Sequence, residues 1–172
     1  MAGCTVDPLV ARLWFESVDV DMSGLLDAKE LRQALDIGGL VYSLEEAHLF
    51  IRAFDSKGNQ TLNVNEFVEL HKFLSSVQDT FALYSRGGRA LAASNAAQAL
   101  GRMGFTLDPT ALQAVLRRFD KANTGMLDVT EFLHACLFLR TAARAFQAFD
   151  TGRTGRVELN FNQFCYAASY LA

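Results

Sequence analysis

Asp19, Asp21, Ser23, Asp27 and Glu30 lie in one stretch, Asp19-Val20-Asp21-Met22-Ser23-Gly24-Leu25-Leu26-Asp27-Ala28-Lys29-Glu30. Counted as a twelve-residue frame, these side chains place oxygens at positions one, three, five, nine and twelve. Gly24 at position six permits a sharp turn, and the Leu25 carbonyl supplies an oxygen at position seven. A hard cation the size of Ca²⁺ takes six to eight oxygens, and a glutamate at position twelve closes the cage with both of its own. Ser23 departs mildly from the usual Asp or Asn, but its hydroxyl can still ligate. The chemistry to expect is reversible cation binding.

The frame recurs. Asp55 to Glu66 repeats it, as do Asp120 to Glu131 and the stretch that opens Asp150-Thr151-Gly152-Arg153-Thr154-Gly155. A fifth, decayed copy runs from Ser85 to Ala96, keeping Tyr84 before it and Ala97-Gln98-Ala99-Leu100 after it. Self-similarity at a fixed period marks a repeat architecture.

Charge at the ligand positions ranks the copies. After the first comes the fourth, with Asp120, Thr124, the Met126 carbonyl, Asp128 and Glu131, but Ala122 removes one oxygen. The second offers Asp55, Asn59, the Thr61 carbonyl and Glu66, yet Lys57 stands where an oxygen belongs and Gln60 replaces the turn glycine. The third has no carboxylate and two arginines, Arg86 and Arg89, so hydrogen bonds from Ser85 or Asn95 are expected to hold it. The fifth has Asp150, but Gly152 at position three and no acid at twelve.

Helices must position these loops. The loops begin near residues 19, 55, 85, 120 and 150, at intervals of 36, 30, 35 and 30. Phe67 to Tyr84 and Phe132 to Phe149 contain neither Gly nor Pro, so each fits one unbroken helix of about 27 Å leaving one loop and entering the next. The longer intervals contain Gly38-Gly39, or Gly101, Gly104 and Pro109, and hold two helices each. Apolar residues at position eight (Leu26, Leu62, Ala92, Leu127, Val157) suit short antiparallel bridges between loops, first to second and third to fourth. The fold expected is all-α: five helix-loop-helix units, two long shared helices and short inter-loop β-bridges. A short arm over 1–7 precedes one domain over 8–172.

At 51% apolar residues, with 14 Phe, the chain can bury a sizeable core. The net charge of −3 hides an asymmetry: residues 1–85 carry 13 acidic and 6 basic side chains, the remainder 6 and 10. No apolar run suits a membrane span, and Met1-Ala2-Gly3-Cys4 matches neither a signal peptide nor a myristoylation site. Cys4, Cys136 and Cys165 fit free thiols in a reducing compartment. A cytoplasmic location is expected, with recruitment to membranes on Ca²⁺ binding. Arg86-Gly87-Gly88-Arg89 is a single basic segment and does not indicate nucleic-acid binding. His48, His71 and His134 have no nucleophile constellation near them, so no catalytic residue and no enzyme is read.

Five loops at this spacing resemble the penta-EF-hand family from about Pro8 to Ala172. Leu13-Trp14-Phe15 and Val18 to Gly24 resemble its first hand. The late aromatic Phe164, after Leu159-Asn160-Phe161-Asn162-Gln163, resembles its fifth hand, whose loop is expanded by two residues. The resemblance implies Ca²⁺ as the ion and a sensor or adaptor that grips a partner peptide or protein through an apolar groove. Two alternatives stand beside it: a permanent regulatory subunit of a larger enzyme, as in calpain, or a calcium-insensitive dimeric scaffold with one structural ion. Hands pair in twos, so the fifth lacks an internal partner. Its exit stripe, Phe161, Phe164, Cys165, Ala168 and Leu171, is expected to form a homodimer or heterodimer seam.

Overall fold

The computed structural model describes residues 8–169 and 171; the expected arm over 1–7 lies outside them. The helices run in the order α1 (Pro8–Val18), α2 (Ala28–Ile37), α3 (Leu44–Phe54), α4 (Val64–Tyr84), α5 (Ala93–Arg102), α6 (Pro109–Phe119), α7 (Val129–Phe149) and α8 (Phe161–Ser169). Two-residue strands sit in four of the loops: β1 (Leu25–Leu26), β2 (Leu62–Asn63), β3 (Leu91–Ala92) and β4 (Met126–Leu127). The two shared helices are the 21-residue α4 and α7, and each leaves one hand and enters the next.

Each helix that follows the first, second or fourth loop starts on a reciprocal cap. Asp27 with Glu30, Asn63 with Glu66 and Asp128 with Glu131 form capping boxes, so the residue at position twelve also serves the helix start. Between α2 and α3 the chain passes Gly38, where an added Cβ would lie 2.6 Å from the Trp14 ring. Only glycine allows α1 to seat there.

β1 pairs antiparallel with β2, with Leu26 opposite Leu62. β3 pairs with β4, but there Leu91, and not Ala92, stands opposite Leu127. The third loop is therefore one residue tighter than the twelve-residue frame. The cause lies at the end of α4, which closes in a Schellman turn: Arg86 N donates to Leu83 O, Gly87 N to Ala82 O, and Arg86 takes φ 54°. The turn uses up a residue, and Ala92 moves into the helix-cap position.

The core is one cluster through both loop pairs. Phe50, Phe67 and Phe132 are its largest fully buried side chains, joined by Leu26, Leu62, Leu91 and Leu127 from the strands. Burying each such side chain is worth about 1.5–3 kcal/mol. α8 contrasts with this, because none of its described residues is buried.

Candidate metal centre

In the first loop the carboxylates of Asp19, Asp21 and Glu30 converge, with one oxygen of each within 4.8 Å of the others. Among the described residues this is the one such cluster of three metal-ligating side chains. The backbone builds it. Ser23 N donates to Asp19 Oδ1 (2.9 Å) and Asp21 Oδ1 (3.0 Å), and Gly24 N donates to Asp19 Oδ2 (2.9 Å). Hydrogen bonds from Ser23 hold the Asp21 carboxyl below its ordinary value, so it stays ionised. Ser23 Oγ lies 3.0 Å from the Leu25 carbonyl, so the oxygens of positions five and seven are adjacent. Glu30 turns Oε2 to Asp27 N (3.0 Å), and it is one of the three converging carboxylates. Asp27 gives Oδ1 to Lys29 N and Glu30 N, which leaves Oδ2 for a water-bridged contact. Three carboxylates this close repel one another unless a cation lies between them. The donor set is all oxygen, as a hard divalent ion requires.

The fourth loop repeats the frame with less charge. Asp120 accepts from Thr124 N (3.0 Å) and Gly125 N (2.7 Å), and Thr124 Oγ1 donates to Met126 O (3.3 Å). Asp128 caps α7, while Glu131 accepts from Asp128 N (2.9 Å) and from Lys121 N (3.3 Å). Both Glu131 oxygens thus have donors, and Ala122 offers none at position three.

The second loop is satisfied from within. Asp55 accepts three backbone amides, Lys57 N, Gly58 N and Gln60 N, at 2.7–2.9 Å. The Asn59 amide satisfies both of its ends with its nitrogen toward Asp55 Oδ1 (3.1 Å) and Thr61 O (3.2 Å). A donor thus stands among oxygens that would otherwise face an ion. Glu66 accepts from Ser56 N (2.9 Å), from the Ser56 hydroxyl and from Asn63 N (3.0 Å). Burial raises the Glu66 pKa, but these hydrogen bonds outweigh it and hold the carboxyl below its ordinary value. Gln60 takes φ 61° where the first, fourth and fifth loops have glycine, an unfavourable conformation for a residue with a side chain. Ser56, at position two, was not singled out by the ligand pattern, which passes over that position.

The third loop, too, is held by its own hydrogen bonds. Its helix end closes on itself, and Asn95 Nδ2 donates to Tyr84 O (3.2 Å). Ser85 contributes through its backbone amide to Phe81 O, while its buried hydroxyl has no partner among the described residues. In the fifth loop Asp150 collects Thr154 N and Gly155 N, and these bonds lower its pKa. α8 starts two residues late. Asn160 N donates to Gln163 Oε1 and Gln163 N to Asn160 Oδ1, so a neutral amide occupies the place of the closing glutamate.

Of the expected seam residues, Phe161, Phe164 and Cys165 are exposed, at 78% and 59% for the two rings. Ala168 and Leu171 are half-buried, and the Leu171 carbonyl accepts from Arg118 Nη2 at 3.2 Å. No helix among the described residues is long and apolar enough to cross a membrane.

A family model described as an EF-hand domain pair matches residues 10–72. Peflin of Danio rerio is 32% identical over 158 residues, 90% of this chain but 58% of peflin, so the chain spans less than two thirds of that relative. Sorcin of Schistosoma japonicum is 33% identical over 156 residues, covering 90% of the chain and 91% of sorcin. A solved structure, a homolog of programmed cell death 6 protein from Leishmania major Friedlin, matches with a TM-score of 0.62 at 26% identity over 99% of both chains. With a sorcin aligned along nearly the whole of both sequences, and five hands in order on two shared helices, the chain belongs to the penta-EF-hand family, whose ion is Ca²⁺.

Proposed function

We propose that this chain is a calcium-responsive adaptor of the cytoplasm, built as one unit over 8–172, with no catalysis of its own. Its Ca²⁺ is held in the first hand by Asp19, Asp21, Ser23, the Leu25 carbonyl and Glu30, with Asp27 acting through water. The convergence of the Asp19, Asp21 and Glu30 carboxylates carries this reading. The fourth hand, through Asp120, Thr124, Met126, Asp128 and Glu131, follows at lower affinity. The second, third and fifth hands are structural. Ca²⁺ filling ties Glu30, which lies in the first turn of α2, to Asp19 and Asp21 and shifts α2, which exposes an apolar groove for a partner peptide or protein. The exposed stripe of Phe161, Phe164 and Cys165 on α8 seats a second penta-EF-hand chain, most simply another copy of this one.

A second reading is a dimeric scaffold with one structural ion. Its support is that the second and third loops are satisfied by their own hydrogen bonds. Fluorescence of an apolar dye separates the two. The adaptor gives a rise with Ca²⁺ that Glu30→Gln abolishes. No rise at saturating Ca²⁺ leaves the scaffold standing.

A further inference from the structure

We infer that the cleft between the second loop and α7–α8 is the docking site for a partner's acidic helix bearing an apolar stripe. The inference rests on the adaptor reading, and it names the groove and the partner's chemistry. The cleft encloses about 1210 Å³, above the roughly 300–1,000 Å³ of small-molecule pockets, so it suits a peptide better than a single anion.

Its rim is basic. Lys29, Arg52, Lys57 and Arg144 line it. The first three are half of the six basic side chains in residues 1–85, a segment with 13 acids. Two carboxylates also line it, but both are bound to main-chain amides: Asp27 to Lys29 N and Glu30 N, Asp55 to Lys57 N, Gly58 N and Gln60 N. Arg144 spends its donors on carbonyls, Ala53 O and Asp55 O, so no carboxylate cancels its charge in those bonds. The cations therefore outnumber the acids, and the acids are turned to the backbone.

Apolar side chains also line the cleft. Ile51 comes from α3, Ala148 and Phe149 from α7 and Tyr166 from α8, with Phe149 and Tyr166 edge to face at 6.5 Å. A helix with an apolar stripe and glutamates on its flanks matches both features at once. A bilayer surface is flat and does not fill a cleft of this volume. The wall containing Asp27 and Lys29 adjoins Glu30, so the shift of α2 in the adaptor reading would move one side of the cleft.

The test uses the full chain in Ca²⁺ at near-physiological salt and two labelled amphipathic peptides of about 16 residues. Both carry the same Leu/Phe stripe; one has Glu on its polar face, the other Lys. Anisotropy is expected to show the Glu peptide binding at least about tenfold tighter than the Lys peptide. Arg52→Glu is expected to erase that preference, and Ala148→Trp, which fills the cleft, to abolish binding without unfolding the chain by circular dichroism. Equal binding of the two peptides, no binding of either, or an unchanged preference in Arg52→Glu overturns the inference. So does capture of phosphatidylserine vesicles without a preference for the Glu peptide. Repeating the titration in EGTA separates the two readings. Charge-selective binding that ignores Ca²⁺ keeps the cleft and removes the calcium gate. A calcium-dependent dye response with no peptide selectivity keeps the sensor and removes the cleft.

Discussion

Arg144 Nη2 lies 2.9 Å from the carbonyl oxygen of Asp55, a residue 89 positions away that opens the second loop. Nη1 of the same guanidinium reaches Ala53 O at 3.0 Å, so one planar fork caps the end of α3. Arg140, one turn earlier on α7, stacks its guanidinium 3.9 Å over the Phe54 ring. The helix that links the fourth and fifth hands thus grips the entry to the second.

Arg144→Ala is expected to destabilise the calcium-free chain by about 1.5–3 kcal/mol, the range for hydrogen bonds from a charged donor. Arg144→Lys recovers only part of that, because an ammonium cannot span both carbonyls in the fork geometry. Urea unfolding in EGTA measures both. A loss below about 0.5 kcal/mol for the alanine variant would mean the grip is incidental.

Glu30→Gln keeps an amide oxygen for Asp27 N but removes the charge that closes the first site. Calorimetric titration is expected to lose the tightest Ca²⁺ event, which lies in the sensor range of roughly 10⁻⁷ to 10⁻⁵ M. Stability in EGTA stays within about 0.5 kcal/mol of the parent. Survival of the tight event places it in another loop.

Glu66 has a carboxyl pKa below its ordinary value in the folded chain. The contribution is therefore fully present above the unfolded glutamate pKa of about 4.3 and is lost as pH falls through the folded value. Unfolding measured across pH 3 to 6 (approximate limits) is expected to show this loss in the parent and a flatter acid limb in Glu66→Gln. Identical limbs would mean that the Ser56 and Asn63 contacts contribute little.

The α8 stripe makes two linked expectations. Phe164→Asp is expected to lower the mass in sedimentation at micromolar concentration from dimer to monomer. Cys165, exposed beside it, is expected to react with maleimide more slowly in the dimer than in that variant. Cys136 is buried, with its thiol pKa pushed up to about 12, and stays unlabelled until the chain unfolds. A parent that sediments as a monomer removes the seam.

Much of the loop architecture was legible because its determinants are local. The acids at positions one and twelve, the turn glycine and the cap at position nine fall within twelve residues, and backbone geometry alone fixes where they point. Lys57 and Ala122 were readable as gaps in a ligand set for the same reason. Two runs without Gly or Pro gave α4 and α7, since nothing in them interrupts an i to i−4 ladder. The third loop departs from its twelve-residue frame by one residue, because a Schellman turn competes with that frame and the partner strand sets the register.

Residue types and their spacing set five hands, their order and the charge available to each. The contrast between Glu30 and Glu66 is local: they hold the same position in the same frame, and Glu66 is taken by Ser56 of its own loop while Glu30 joins Asp19 and Asp21. Packing between distant segments decided what reaches those loops from elsewhere in the chain. Arg144 reaches the second loop, and α8 is left with its rings in solvent, through packing between segments far apart in the chain. A main-chain carbonyl accepts from whichever donor packing brings within about 3 Å, and residue type and local spacing do not specify that donor when it comes from a distant helix.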